Sequence, residues 1–155
     1  MADKTIDRWT KEGKAFMKAL KELDKKEVRV GYLDGLSPAY PDSGKSTAEV
    51  AAYNEFGTST IPPRPFMRRT VDNNESKFLA MAQLSANGLL NGSTAEHALN
   101  ELGAFGVELL QSEIKNGDFE PNAQSTVAKK GSNQPLVDTG HLRQSAHYRV
   151  HKKGE

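Results

Sequence analysis

Three arginines and a phenylalanine follow closely on one another around a run of prolines. They are Arg64, Phe66, Arg68 and Arg69. Guanidinium and aromatic groups dominate the energetics of protein–protein interfaces, so these side chains could bind a partner. Pro62, Pro63 and Pro65 fix φ and stiffen the segment before any tertiary contact forms. The sequence therefore predicts a stiff corner that faces a partner. On composition alone, however, a proline-rich loop with a buried phenylalanine and solvated arginines is the favoured interpretation.

Gly44-Lys45-Ser46 resembles the end of a phosphate-binding loop, in which backbone N–H groups and a lysine hold a nucleotide. The first glycine of that motif would fall at position 39, which is Ala39, and no apolar strand ending in aspartate follows. The tripeptide is therefore interpreted as a flexible loop that leads into a helix cap.

Metal and catalytic chemistry have little support. Of the histidines His97, His141, His147 and His151, only the last two have a spacing that suits a shared metal, and no carboxylate lies between them. A Gly-x-Ser-x-Gly elbow is absent, and no pair of carboxylates stands out from ordinary helix-surface charges. The sequence predicts solvated histidines, no enzyme activity, no cofactor and no metal.

The last third of the chain is locally basic. Its cations are Lys129, Lys130, Arg143, Arg149, Lys152 and Lys153, and Tyr148 lies among them. Such a set could contact phosphates. The whole chain, however, has 21 basic and 20 acidic residues and a net charge of +1, which gives no overall electrostatic attraction to nucleic acid or membrane. A solvated tail is the favoured interpretation, and Lys129 and Lys130 are retained as candidate partner contacts.

Composition limits the architecture. A chain of 155 residues can bury one core, so a single domain over residues 1–155 is expected. The chain has no cysteine, which excludes disulfides and thiolate metal sites. No export signal and no apolar run of membrane-spanning length is found, so a protein made in the cytoplasm is expected.

The first half of the sequence predicts two helices and a strand. Apolar residues at helical spacing predict an amphipathic helix over 5–23, with Trp9 on its buried stripe. Alternation predicts a strand from Val28 to Leu33, and a surface loop follows over 34–46. Ser46 to Glu49 has the pattern of a capping box that opens a helix ending at Phe56.

The stiff segment from Glu55 to Phe66 joins that helix to the next. Gly57 stands where the left-handed conformation is needed, and Pro65 suits the first position of a following helix. That helix is predicted over 66–90, weakened around 72–74. A second capping box at Ser93 predicts a helix to Asn116.

The remaining elements complete an α+β fold. Residues 118–135 have no periodicity and predict a long flexible loop, of the kind that often orders against a partner. Ala146 to Val150 alternates like a second strand. We expect a small antiparallel or mixed sheet, built from the two halves of the chain and packed against several helices, one of them long.

Four blocks occur in order along the chain and carry a family resemblance. They are Val30-Gly31-Tyr32, Val50 to Thr58, Ile61 to Phe66, and the pair formed by Lys129-Lys130-Gly131 with Pro135 to Leu142. Their order and spacing resemble the small tail-completion and neck proteins of tailed bacteriophages and prophages. The residues shared with that pattern as structural motif positions are Glu55, Phe56, Gly57, Pro63, Pro65, Asp138, Thr139, Gly140 and Leu142.

The resemblance implies a non-enzymatic virion component that joins the finished tail to the DNA-filled head. The implied partners are the tail terminator and the head-connector ring, with a homo-hexameric ring in the virion, a monomer in solution and possible proximity to DNA. It implies location in the neck of the virion, and in the host cytoplasm during assembly. Another connector ring protein, either a tail terminator or a head-closure protein, is the near alternative, and a small DNA-binding module is the distant one.

Two structural hypotheses accompany the resemblance. The proline elbow and the turn at Asp138 to Gly140 are expected to pack together at the base of the sheet, with Arg68 and Arg69 facing a partner. Asp138 and Thr139 would equally suit a helix N-cap, because both residues offer acceptor oxygens.

Overall fold

The computed structural model describes residues 9–131, 133–136 and 140–155. These contain seven helices and an antiparallel two-stranded sheet, which confirms the α+β class. The elements are α1 (Lys11–Asp24), β1 (Lys26–Gly31), α2 (Thr47–Phe56), α3 (Phe66–Asp72), α4 (Glu75–Leu90), α5 (Ala95–Asn116), α6 (Gln124–Lys130), α7 (His141–Gln144) and β2 (His147–Lys152). Within the described residues, every helix is too short or too polar to cross a bilayer.

Helix α1 begins later than the amphipathic pattern predicts. Thr10 is its N-cap, and the threonine hydroxyl accepts the N–H of Gly13 at 3.1 Å. A threonine cap satisfies an orphan donor of the first turn, which fixes the start of the helix. Trp9 therefore precedes the helix and is 38 % exposed, so its predicted place in the core is wrong. Residues 5–8 lie outside the described chain.

The sheet pairs one strand from each half of the chain, as predicted. Strand β1 pairs with β2, and just beyond the strand ends the N–H of Lys153 donates to the carbonyl of Lys25 at 2.9 Å. Glu27 lies across from His151, with Oε1 and Nε2 3.4 Å apart. Side chains directly opposite each other in this way belong to one antiparallel register.

The capping box predicted at the start of α2 is confirmed. The Ser46 hydroxyl accepts the Glu49 N–H at 3.1 Å, and the Glu49 carboxylate accepts the Ser46 N–H at 3.1 Å. At the other end, Gly57 has a φ of 76°. A Cβ at that position would lie 3.0 Å from the Ile61 carbonyl and from the Pro63 ring, so the turn requires glycine.

The helix predicted over 66–90 is two helices. Helix α3 ends at Asp72 with Asn73 as C-cap, and α4 begins at Glu75. Asn74 is buried, and its amide donates to the Thr70 carbonyl at 2.8 Å. Asparagine competes with the helical backbone in this way, which explains the break. Pro65 precedes α3 as its N-cap residue, one position before the predicted one.

Helix α5 runs to Asn116 as predicted, but Thr94 rather than Ser93 caps its start. The Thr94 hydroxyl accepts the His97 N–H at 3.1 Å. With Thr94 as the cap, the third residue of the helix is His97 rather than Glu96, so the predicted capping box is wrong in register. The Glu96 carboxylate pairs instead with the ammonium group of Lys26.

The segment predicted as a long flexible loop contains a helix. Helix α6 occupies Gln124–Lys130 and is closed by Gly131 in the left-handed conformation at φ 68°. Earlier in the same segment, Phe119 is buried. The absence of helical periodicity over 118–135 therefore reflects a single short helix rather than a chain without structure.

By contact density the chain divides into two compact units. The first comprises described residues 9–29, 76–105 and 149–155, and the second comprises 30–75 and the described part of 106–148. Helix α5 and both strands contribute residues to each unit. The second unit holds a core cluster of Ala51, Phe66, Leu110, Ile114, Phe119, Leu136, Leu142 and Ala146. In the first unit the buried apolar residues are Leu89, Ala95, Ala98 and Leu99.

Candidate functional site

The carboxylate of Glu55 holds the two ends of the elbow together. Glu55 is the penultimate residue of α2 and is buried. Its two oxygens accept the backbone N–H groups of Met67 at 2.8 Å and Arg68 at 3.1 Å, at the start of α3. These are orphan donors of a helix N-terminus, where a negative charge is also favoured by the helix dipole. Glu55 is thus a cap supplied by the preceding helix.

Arg64 is buried and hydrogen-bonded within the chain. Its Nε donates to the Glu120 carbonyl at 2.8 Å, and its Nη2 donates to the Pro121 carbonyl at 3.1 Å and to Oδ1 of Asn122 at 3.4 Å. Its backbone N–H donates to the Asn54 carbonyl at 2.6 Å. Burial lowers the pKa of the guanidinium, and the nearby Glu120 carboxylate opposes that shift. Buried charges persist when they are hydrogen-bonded, as this one is.

Phe66 is the most completely buried large side chain of the elbow. Its exposed fraction is 0 %, and its ring packs edge to face with Tyr32 at a centroid distance of 6.3 Å. Arg64 and Phe66 were predicted to face a partner, and the structure corrects this for both. Both side chains are buried and contact other parts of the same chain, because the elbow folds back against the core instead of projecting from it.

Arg69 is also engaged within the second unit. Its Nε lies 3.0 Å from Oε1 of Glu113, and its Nη1 donates to the Asp118 carbonyl. The guanidinium carbon lies 4.6 Å from the centre of the Phe119 ring, in a cation–π arrangement. Arg69 is half-buried and joins α3 to the end of α5 and the chain beyond it.

Two large side chains remain exposed at this corner: Phe56 of the elbow and Arg68 at the start of α3. The guanidinium of Arg68 forms no ion pair with any residue in the described part of the chain. Phe56 is 72 % exposed, although the sequence assigned it a structural place in the motif. The buried positions of α2 are Thr47, Ala51 and Glu55, so the next residue along points away from the core. That 4-residue spacing was the signal that sequence reasoning missed.

The other predicted contact residues lie on α6. Lys129 is exposed on that helix. Lys130 is the last residue of α6, and its side chain is outside what the structure describes.

The turn before α7 is described from Gly140 onward. Gly140 is the N-cap residue at φ 79°, and Leu142 is buried in the core cluster. Asp138 and Thr139 lie outside the described residues, so their packing against the elbow and their role as a cap stay predictions. His141 is joined to α2, since its Nε2 lies 3.2 Å from the Thr47 hydroxyl. Its ring also packs against the Tyr40 ring, with the centroids 4.2 Å apart and the planes tilted by 50°.

The Gly-Lys-Ser tripeptide and the basic tail make contacts within the chain. Ser46 of the Gly-Lys-Ser tripeptide caps α2, and Lys45 lies over the Tyr53 ring at 5.3 Å. Lys153 of the basic tail pairs with Asp24 at 3.3 Å. In the described ranges, no three His, Asp or Glu side chains gather as metal ligands.

Comparisons of the chain with protein-family models, with curated proteins and with solved structures gave no significant match.

Proposed function

We propose that the chain is a structural virion protein of a tailed bacteriophage, a tail-completion or neck component that joins the tail to the DNA-filled head. The observation that carries the proposal is the order and spacing of the sequence blocks, of which the elbow from Glu55 to Phe66 is the most distinctive. In this role the protein has no enzymatic activity and forms a ring of six copies that lies between the tail terminator and the head-connector ring.

The hydrogen bonds of the elbow support this proposal, because they explain why the block contains these residues. Glu55 caps α3, Gly57 permits the turn, and Arg64 is held by backbone carbonyls. A corner built from so many mutual contacts is rigid before binding, and rigidity reduces the entropy lost when an interface forms. The block therefore suits a protein that must dock between two rings.

Phe56 and Arg68 are the proposed partner contacts of that corner. An exposed aromatic ring and an unpaired guanidinium are the groups that most often dominate interface energetics. Both belong to elements fixed by Glu55, because this residue precedes Phe56 directly and binds the Arg68 N–H. The buried Glu55 carboxylate thus anchors the backbone of Arg68, and Phe56 follows Glu55 at the end of α2.

Deletion of the coding sequence from its phage or prophage, followed by negative-stain electron microscopy of the lysate, tests the function. We expect full heads and complete tails to accumulate unjoined, and added purified protein to restore infectivity. Joined, infectious particles without the protein would overturn the proposal. Protein found on isolated tails, or on isolated heads, would instead favour a tail terminator or a head-closure ring.

The same complementation assay tests the contact surface. Arg68→Glu and Phe56→Asp should each reduce infectious titre at least tenfold, since 1.4 kcal/mol of lost binding is a factor of about 10. Lys77→Glu is the matched control, because Lys77 is an exposed cation on α4, in the first unit, whereas the elbow lies in the second. Full titre with both elbow variants, at unchanged melting temperature, would exclude this surface.

A further inference from the structure

Helix α1 and its C-cap carry a row of lysines along one face. The lysines follow one another at intervals of three, four, three and four positions, which places them within about 80° of the helix surface. All of their side chains are exposed, and they lie opposite the half-buried side that holds Phe16 and Leu20. The residues of this lysine stripe are Lys11, Lys14, Lys18, Lys21 and Lys25.

Most of the lysine stripe is without counter-charges. The ammonium group of Lys25 lies 3.3 Å from the Glu22 carboxylate. Among the described residues, none forms an ion pair or a side-chain hydrogen bond with the other four ammonium groups. Like charges three or four positions apart on a helix repel each other, and the helix dipole disfavours cations in the first turn. A solvated helix face normally mixes both signs of charge. The lysine stripe therefore lowers the stability of α1, and a bound polyanion would relieve the repulsion.

The basic end of the chain continues the lysine stripe. The N–H of Lys153 donates to the carbonyl of Lys25 at 2.9 Å, so the end of β2 lies against the end of the stripe. The ammonium group of Lys153 pairs with Asp24, whereas the neighbouring Lys152 is exposed. In its described ranges the first unit has 11 basic and 7 acidic residues, although the net charge of the whole chain is +1. The positive charge that the overall composition does not show is thus concentrated in this unit.

We propose that the lysine stripe binds the phosphate backbone of double-stranded DNA, whatever its base sequence. The stripe extends about 21 Å along the helix axis. Over that length each strand of B-DNA presents about six phosphates, so every lysine can meet one. A straight row of charges also suits a stiff duplex. Helix α1 contains no arginine, asparagine or glutamine, the side chains that most often read base edges. Its contacts are therefore with phosphates, which position a protein on DNA without specifying a sequence.

The composition of α1 favours DNA over a protein or a membrane as the partner. Protein interfaces are enriched in arginine and aromatic residues and depleted in lysine, whereas this stripe consists of lysine alone. A helix that lies on a membrane inserts large apolar side chains into it. Each large apolar side chain of α1 is at least half-buried within the protein. The exposed side of the helix therefore offers charge without an apolar anchor, which suits a phosphate backbone.

Fluorescence anisotropy with a labelled duplex of about 20 base pairs and the full-length protein tests the DNA contact. At about 50 mM salt we expect a micromolar Kd, as for other sequence-independent binding. The logarithm of the association constant should fall with the logarithm of salt concentration at a slope of about −4.5, because each phosphate contact contributes about −0.9. A second duplex of unrelated sequence should bind with the same affinity to within about threefold.

Removal of three charges from the middle of the stripe tests its residues. The triple variant Lys14→Gln, Lys18→Gln and Lys21→Gln should weaken binding at least about tenfold and reduce the slope to about −1.8. Glutamine has nearly the helix propensity of lysine, so circular dichroism should show an unchanged helix content.

A second triple variant, Lys45→Gln, Lys77→Gln and Lys115→Gln, is the matched control. These three lysines are also exposed but lie outside α1, so the change in net charge is the same. The slope should stay near −4.5 and the affinity within about threefold of the wild type. Equal weakening by both triple variants would show that net charge rather than the stripe attracts DNA, and would overturn the proposal.

Three further outcomes would overturn the proposal. They are no binding of the duplex at about 50 mM salt, a slope shallower than about −2, and tighter binding to vesicles that contain phosphatidylserine than to the duplex. The last would identify a membrane surface as the partner. The inference goes beyond the proposed function, which concerns contacts with other proteins. Because the measurement uses purified protein and DNA alone, its failure would leave the complementation test of head-to-tail joining unaffected.

Discussion

Tyr32 places its hydroxyl group in the interior of the second unit without a hydrogen-bond partner among the described residues. Its ring packs against Phe66 in the core. Burial raises the pKa of the phenol well above its usual range, and the nearby Tyr40 and Glu55 raise it further. A buried polar group without a partner keeps its desolvation penalty, so the aromatic ring of Tyr32 stabilises the fold while its oxygen opposes it.

Tyr32→Phe should therefore leave the free energy of unfolding at pH 7 unchanged, or raise it by about 1–2 kcal/mol. Above about pH 10 an unfolded tyrosine ionises while the folded Tyr32 stays protonated, so the folded state binds more protons and wild-type stability falls as pH rises. The variant should lose up to about 1.4 kcal/mol less per pH unit in that range. Urea unfolding at pH 7 and at several values above 9 measures both effects.

Tyr53→Phe serves as the control, because Tyr53 is half-buried and contacts Lys45 near the surface. Its free energy of unfolding at pH 7 should stay within about 0.5 kcal/mol of the wild type. A loss of more than about 1 kcal/mol at pH 7 in Tyr32→Phe would show that the hydroxyl has a stabilising partner.

Structural features that depend on residues close together in the chain could be predicted from the sequence. The capping box at Ser46, the turn at Gly57 and the alternation of both strands depend on residues close in the chain, and the structure contains all of them. The break at Asn74 was foreseen as a weakness, since asparagine is a poor helix former.

The burial of the elbow could not be predicted, because it depends on distant parts of the chain. The ligands of Arg64 are carbonyls more than fifty positions away, and Arg69 binds Glu113 and Phe119. A guanidinium that binds backbone carbonyls has no sequence signature, since every residue has a carbonyl. Composition alone therefore favoured solvated arginines over partner-facing ones and gave no reason to expect that Arg64 is buried.

At Gly106 of α5, helix propensity favours alanine, whereas packing against β1 favours glycine. A Cβ there would lie 3.0 Å from Cγ2 of Val30 on β1. Valine is stiff at χ1 and cannot turn aside easily. Gly106→Ala should lower the free energy of unfolding by up to about 2 kcal/mol, because an overpacking cost of about 1–3 kcal/mol opposes a gain in helix propensity of roughly 1 kcal/mol.

Gly88→Ala in α4 is the matched control. The nearest atom to a Cβ at that position is Cβ of Ser93 at 3.5 Å, an ordinary contact. This variant should therefore be stabilised by about 0.5–1 kcal/mol. Chemical denaturation of both variants measures the contrast, and equal stabilisation of the two would show that β1 moves away from α5 at little cost.

At the scale of the whole molecule, burial is unevenly distributed between the two units. Helix α1 has fourteen residues, none of them buried, whereas the C-terminal half of α5 buries Leu109, Leu110 and Ile114. Local opening is easiest where few apolar contacts are lost. Hydrogen exchange followed by mass spectrometry should therefore show α1 amides exchanging at least tenfold faster than those of residues 106–116.

Helix α4 has sixteen residues, of which Leu89 is buried, so its amides should also exchange faster than those of residues 106–116 in the core of the second unit. Protection of α1 equal to that of residues 106–116 at every concentration would contradict the uneven distribution. It would mean that the amphipathic stripe of α1 is packed more firmly than the exposure of its side chains indicates.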